Sequence, residues 1–227
     1  MMEYVFLDLD QTILDFHKGE ALGLAKALRD HGLEPTEEVL SRYRKINRWH
    51  WEQLEKGNLT RDEVLIGRFR TLFQEMGLNA DAEHCSHAYE YNLSCHAFFL
   101  PGAQEAMEAL HKKYKLYLAS NGTAFVQHRR MKDADLYRFF DGLFISEEVG
   151  YNKPAREFFE TAFAAIPGFQ KEKAIMVGDT LSSDILGGMN AGIRTVWINP
   201  SHASCGNVQP DYELESIAQL PALLETL

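Results

Sequence analysis

Positive charge is in short supply: 23 Lys and Arg stand against 33 Asp and Glu, for a formal net charge of −10. That balance argues against a broad electrostatic grip on a nucleic-acid polymer or an anionic membrane. A small anionic substrate stays open, since a few local cations or a metal ion reverse the field at one site. Cysteine is scarce as well. Cys85, Cys95 and Cys205 are too few and too scattered for a disulfide framework. No such staple is needed, because a chain of 227 residues can bury roughly 70–75% of its unfolded surface. Long apolar runs are missing too, and no stretch approaches the roughly 18 residues of a membrane span. The opening MMEYVFLDLD has no basic lead-in, and acids break its apolar run at once, so it reads as no signal peptide. There is no internal repeat and no low-complexity tract. The expectation is a cytoplasmic protein with no membrane partner, monomeric or weakly homodimeric, built as one large domain or a domain with an insertion.

What is present is the composition of a folded chain, 45% hydrophobic and 25% charged. Short apolar runs ending in polar or acidic residues recur at Tyr4–Leu7, Leu116–Ser120, Leu143–Ser146, Ala174–Val177 and Thr195–Ile198. Their length and their β-branched or aromatic content suit buried parallel strands. Helix-length amphipathic segments such as Ala103–Tyr114 and Ala155–Ile166 lie between the later ones. From about residue 100 onward the chain therefore reads as α/β. Residues 15–97 differ. Thr36 can cap a helix with Glu37 and Glu38 in its first turn, running to Gly57. Thr60-Arg61-Asp62-Glu63 is a capping box that opens a second helix ending at Gly77, and a third covers about 81–94. One strand, a helical insert, then the rest of an α/β unit is the predicted order, with Pro101-Gly102 as the return hinge.

The first strand ends in Asp8-Leu9-Asp10-Gln11-Thr12. Side chains two apart on an extended chain point the same way, so two carboxylates are aimed at one spot. Open α/β sheets keep their ligands at such strand ends. A later strand ends Gly178-Asp179, with Asp184 near the next helix start. Four carboxylates at adjacent strand ends repel one another unless a cation intervenes, and a hard cation such as Mg²⁺ suits oxygen ligands. Ser120-Asn121-Gly122 follows another strand and offers a hydroxyl, an amide and backbone N–H groups to phosphate oxygens. Lys153-Pro154 precedes a helix, where proline is natural at the first helical position. Each piece alone has an ordinary reading: a capping pair, a helix-terminal acid, an Asn-Gly turn, a loop lysine.

Their order decides. D-x-D-x-T, then S-N-G, then K-P, then G-D-x-x-x-x-D resembles the haloacid dehalogenase superfamily across essentially the whole chain. The resemblance implies a Rossmann-like parallel-sheet core over 1–14 and 98–227, with an inserted α-helical cap over 15–97 that closes as a lid and shapes the leaving-group side of the pocket. It also implies an aspartyl-phosphate mechanism acting on a small phosphomonoester. Asp8 would be the nucleophile and Asp10 the general acid/base. Asp8, the backbone carbonyl of Asp10 and Asp179 would hold Mg²⁺, with Asp184 one step behind or acting through water. Ser120 and Lys153 would bind the transferring phosphoryl oxygens, with Asn121 and Gly122 beside them.

Dehalogenating members carry an aromatic residue where this chain has Asp10, so phosphate chemistry is expected. His17 reads as a flap residue rather than the early-cap histidine of phosphomutases of the β-phosphoglucomutase kind. In the insert, Asn47, Trp51, Glu55, Gly57, Thr60–Glu63, Arg68 and Phe69 resemble the pyrimidine 5′-nucleotidase-like subfamily, as does Ile145–Gly150. N-acylneuraminate 9-phosphatases, which act on a sugar phosphate, are similar in the same stretches. Nucleoside 5′-monophosphates are the expected substrate class. Trp51 and Arg68 are candidates to contact the substrate; the ordinary alternative is cap core plus a solvated helix face. Gly150-Tyr151-Asn152-Lys153 departs from the subfamily, which more often has small residues before the lysine. His84, Cys85, His87, Cys95 and His96 match no standard zinc spacing and read as helix surface. A non-enzymatic protein that binds a phosphate ligand is the rival of another class, although binding alone does not require an acid at Asp10.

Overall fold

The computed structural model describes all residues from Met1 to Leu227. The chain divides into two compact units, one of Met1–Phe16 with Ala97–Leu227 and one of His17–His96.

The first unit is a parallel sheet. Its strands are β1 (Tyr4–Leu7), β2 (Lys115–Ser120), β3 (Gly142–Ile145), β4 (Ala174–Gly178), β5 (Arg194–Ile198) and β6 (Tyr212–Leu214), in spatial order β3-β2-β1-β4-β5-β6. Every pairing is parallel, as with Val5 opposite Leu116 on one side and Ile175 on the other. The period-2 alternation of a strand explains why β1 is apolar throughout. Val5 and Leu7 pack on one face with Met107, Leu116, Leu118, Ile175 and Val177. Tyr4 and Phe6 pack on the other with Tyr117, Phe158, Phe159 and Met176. β1 lies between β2 and β4, where the winding of the sheet reverses direction, and such a switch point opens a crevice beyond the strand ends. Rossmann-like α/β architecture is thus what the chain adopts. β6, three residues on the outer edge with Glu213 exposed between half-buried Tyr212 and Leu214, was not among the expected strands.

The second unit is helical. It is built on α1 (Phe16–Asp30), α2 (Glu37–Glu55), α3 (Arg61–Met76) and α4 (Ala82–Ser94). Thr36 accepts from Val39 N, and Asp81 accepts from the N–H groups of Glu83 and His84. Thr60 and Glu63 form the reciprocal box that starts α3, which ends on Gly77 in the left-handed region at φ 63°. α1 was not expected. It has no acidic residue in its first turn and carries Gly19 and Gly23, which lower helix propensity. Gly23 has a packing reason: a Cβ there would lie 2.8 Å from the backbone nitrogen of Leu93. The core is Tyr43, Leu54, Val64, Phe69, Leu72, Phe73, Cys85 and Tyr89.

Returning to the α/β unit, α5 (Ala103–Leu110), α6 (Ala124–Asp133), the short α7 (Ser146–Val149), α8 (Arg156–Ala165), α9 (Leu186–Ala191) and α10 (Leu220–Leu224) connect or follow the strands. Two sequence expectations need correction. Pro154 is not the first helical residue: α8 starts at Arg156, and Lys153-Pro154 is a cis peptide in the preceding loop. Cys85 is not helix surface but fully buried, its thiol pushed up to about 12 by burial. No helix is long and apolar enough to cross a membrane.

Candidate active site

The β1 ladder runs one residue past the strand, with Asp8 N donating to Val177 O at 3.0 Å. That bond fixes the direction of the Asp8 side chain, which is 10% exposed and lies 2.9 Å from the ammonium of Lys153. The same ammonium donates to Ala119 O at 2.6 Å and to Asp184 Oδ1 at 2.5 Å. Lys153 is itself held from behind. Asn121, just past β2, donates through Nδ2 to Lys153 O at 2.9 Å and accepts from Lys153 N at 2.8 Å. Both ends of the Asn121 amide thus hold the lysine backbone rather than standing apart as a separate donor.

Asp179 and Asp184 come from the end of β4. Asp184 sits in a wide turn, Leu181–Ile185, that leads into α9. Its second oxygen accepts from Thr180 N at 3.0 Å. Gly178 makes room for it, because a Cβ at that position would collide with the Asp184 carboxylate. One oxygen from each of Asp8, Asp179 and Asp184 lies within 4.8 Å of the others. Three buried or half-buried carboxylates this close disfavour one another's charge. Burial, followed by Asp184, Asp10 and Asp179, pushes Asp8 well above the ordinary carboxylate range, while Lys153 opposes the rise. Burial and Asp184 push Asp179 up to about 7. For Lys153, burial works against the charge, but Asp184 and Asp8 more than offset it and hold the ammonium above its ordinary value. A hard divalent cation fits this donor set: the ligands are all oxygen, clustered, and carry more negative charge than one lysine can offset.

Asp10 points elsewhere. One of its oxygens pairs with Arg130 and the other accepts from Gln127 Nε2 at 2.8 Å. Gln127 Nε2 also donates to Ser120 Oγ at 2.8 Å, and Gln127 Oε1 accepts from Arg130 at 3.1 Å. Gly122 N donates to the same Ser120 oxygen at 3.1 Å. A serine hydroxyl has two lone pairs and one hydrogen. With both lone pairs taken, Ser120 can meet a ligand only as a donor. Gln127 and Arg130, both on α6, were not singled out from the sequence. The signal that could have found them is an inverted pattern. The buried face of α6 is Val126, Gln127, Arg130 and Met131, with Arg130 fully buried, and a buried cation must have a partner.

The structure therefore brings Asp8, Asp10, Ser120, Asn121, Gly122, Lys153, Asp179 and Asp184 to the C-terminal edge of the sheet. Trp51 and Arg68 belong to the helical unit. Trp51 is half-buried beside the Arg61 guanidinium, 5.8 Å from its ring centroid. Arg68 is 3% exposed and lies inside the helices. It donates to Asn47 Oδ1 at 3.0 Å and sits over the Tyr89 ring at 4.9 Å, while Asn47 donates in turn to Glu20 at 2.9 Å. It belongs to a buried polar network and not to an exposed helix face.

The sequence matches the family model of haloacid dehalogenase-like hydrolases over residues 2–192. YfnB of Bacillus subtilis (strain 168), named as a HAD-hydrolase, is 35% identical over 97% of this chain and 94% of its own. A crystal structure of YfnB, described as bound to magnesium and as revealing interdomain movement, superposes with a TM-score of 0.94 at 34% identity, covering 99% of each chain. The pyrimidine 5′-nucleotidase PynA of Streptococcus pneumoniae is 34% identical over 96% of this chain and 93% of its own. The pyrimidine 5′-nucleotidase YjjG of Escherichia coli is 30% identical over 98% and 97%. A carboxylate cluster at the switch point of a parallel sheet and a family match spanning most of the chain agree, and the chain belongs to the haloacid dehalogenase-like hydrolases.

Proposed function

We propose that this protein is a Mg²⁺-dependent phosphomonoesterase that works through a phosphorylated Asp8, with nucleoside 5′-monophosphates as its preferred substrate class. The observation that carries the reading is the pairing of Asp8, 2.9 Å from Lys153, with a second carboxylate, Asp10, two residues on and held by different partners. One carboxylate is placed to attack and the other to move a proton. In the first half-reaction an Asp8 oxygen bonds to phosphorus, the bond to the ester oxygen breaks, and Asp10 gives its proton to the leaving alkoxide. In the second, Asp10 takes a proton from water, the water oxygen bonds to phosphorus, and inorganic phosphate leaves with Asp8 restored. Both oxygens of Asp10 accept hydrogen bonds from Gln127 and Arg130, which suits the base of the second half. Ser120 would donate to a phosphoryl oxygen, and Lys153 would help keep Asp8 ionised.

Asp8 and Asp179, with the backbone carbonyl of Asp10, would hold Mg²⁺, and Asp184 would orient Lys153 beside them. The ion supplies positive charge that lets an anionic nucleophile meet an anionic phosphoryl group. Support for magnesium is the all-oxygen cluster here together with the magnesium described in YfnB. Support for nucleotides is the pair of pyrimidine 5′-nucleotidases among the relatives. Selection among leaving groups is assigned to the helical insert, since the groups that handle phosphorus all lie in the α/β unit.

The test is turnover by purified protein of p-nitrophenyl phosphate, nucleoside monophosphates and sugar phosphates, with Mg²⁺ and with chelator. Mg²⁺-dependent release of phosphate, with the highest kcat/KM on a pyrimidine 5′-monophosphate, is expected. Turnover ranked highest on a sugar phosphate overturns the nucleotide assignment. No turnover of any ester overturns the phosphatase reading and favours a binding protein.

A further inference from the structure

We propose that Gln127 and Arg130 are positioning residues that hold the acid/base Asp10 and the phosphate-facing hydroxyl of Ser120 in one fixed arrangement. The proposal rests on the phosphatase reading above. Arg130 can only donate hydrogen bonds. It is fully buried on α6 and meets Asp10 and Gln127 Oε1. Because a guanidinium faces the amide, the carbonyl end of Gln127 must turn toward it. The NH₂ end must then turn the other way, where its two hydrogens find Asp10 Oδ2 and Ser120 Oγ, each at 2.8 Å. Arg130 thus decides the orientation of the glutamine, and the glutamine ties the proton-transfer group to the phosphate donor. Phe16, 5.9 Å from the guanidinium, covers the arginine. Gly122 belongs to the same device, since a Cβ there would collide with the Gln127 side chain.

A buried network in which Asp10, Gln127, Ser120 and Arg130 are tied by four hydrogen bonds favours one geometry. The acid/base step is sensitive to such placement, because a displacement of about 1 Å can cost roughly 100-fold in rate. The cost falls on esters that need a proton at the leaving oxygen. An alkoxide from a nucleoside needs one; p-nitrophenolate leaves without it.

Gln127→Glu is the decisive variant. It preserves size and still accepts from Arg130, and a purely structural role would lower turnover of both esters alike. It loses both N–H donors and sets a carboxylate against Asp10. Gln127→Ala is the companion variant, and thermal melts verify folding of both. The readout is kcat/KM for uridine 5′-monophosphate against p-nitrophenyl phosphate with Mg²⁺, since kcat/KM reports the step in which the leaving group departs. The expected result is a loss of about 100-fold on the nucleotide and about tenfold or less on the aryl ester, with the nucleotide loss mainly in kcat. Equal losses on both esters, or a Gln127→Glu enzyme as active as wild type on the nucleotide, overturn the proposal while leaving the phosphatase reading intact. Wild-type protein that hydrolyses neither ester overturns the reading and the proposal together.

Discussion

Lys153 has three ammonium hydrogens and three close acceptors, at 2.9 Å on Asp8, 2.6 Å on Ala119 O and 2.5 Å on Asp184. With its side chain 1% exposed, it acts as a fixed charge more than as a flexible hook. It is also the group that opposes the rise in the pKa of Asp8. Lys153→Met keeps the stem and deletes the charge. A drop in kcat/KM of about 10²–10³-fold is expected, similar to loss of one preorganised electrostatic partner. Lys153→Arg should not restore it, because a planar fork cannot reach three acceptors arranged for a compact ammonium. Steady-state kinetics on protein with a wild-type circular dichroism spectrum decide this, and activity within threefold of wild type contradicts it. A second expectation concerns Cys85, buried and with its thiol pushed up to about 12. Alkylation of the folded protein near neutral pH should modify exposed Cys95 and spare Cys85. Peptide mapping showing equal labelling of both would mean the helical core opens readily.

At the scale of elements, α3 rests on one local device. Thr60 Oγ1 accepts from Glu63 N, and Glu63 accepts from Thr60 N at 2.8 Å. Thr60→Ala removes the side-chain half, and a loss of about 1 kcal/mol in urea unfolding is expected. Aryl phosphate turnover should hold, since both residues belong to the helical unit and the carboxylate cluster to the α/β unit. An unchanged midpoint would mean that packing alone starts the helix. This capping box was legible in the sequence, as were Thr36 and Gly77, because caps are local chemistry. The five longer strands were legible for a related reason: each is a short, largely apolar run with acids or small polar groups at its end, and β1 and β4 are buried throughout. α1 and α6 were not. α1 hides behind glycines kept for close packing, and α6 turns a glutamine and an arginine inward, so its apolar period is broken. β6 is three residues long and owes its pairing to β5, a tertiary fact. Asp8, Asp10 and Asp179 were legible as strand-end acids. Why Asp10 stands apart from the other carboxylates was not, because Gln127 and Arg130 lie 117 and 120 residues away in sequence.

The whole molecule carries a net charge of −10, yet the two buried cations of its α/β unit, Lys153 and Arg130, both meet carboxylates of the candidate site. The remaining negative charge there sets a pH dependence. The pKa of Asp179 lies at about 7 in the fold against an ordinary 3.8. A carboxyl raised in this way favours the folded state fully below its unfolded pKa, and that contribution is lost as pH rises toward about 7. Thermal melts in chelator should therefore show Asp179→Asn gaining on wild type between pH 5 and 8, since the amide never ionises. Added Mg²⁺ should reverse the ranking at pH 8. A ligand at about 100 times its Kd adds about 2.7 kcal/mol, or roughly 5–10 °C for a chain of this size. A pH-independent difference between the two proteins would remove Asp179 from the coupled cluster.

The measurement that reaches the central claim most directly is acid-quench mass spectrometry of the enzyme mixed with excess p-nitrophenyl phosphate and Mg²⁺, followed by peptide mapping. The account expects a phosphoryl group on the peptide that contains Asp8, in wild type and not in Asp8→Asn, with hydrolysis lost in that variant while its melting curve stays cooperative. Turnover by freshly prepared Asp8→Asn at a rate near that of wild type, or a phosphoryl group trapped on a different side chain, would contradict it.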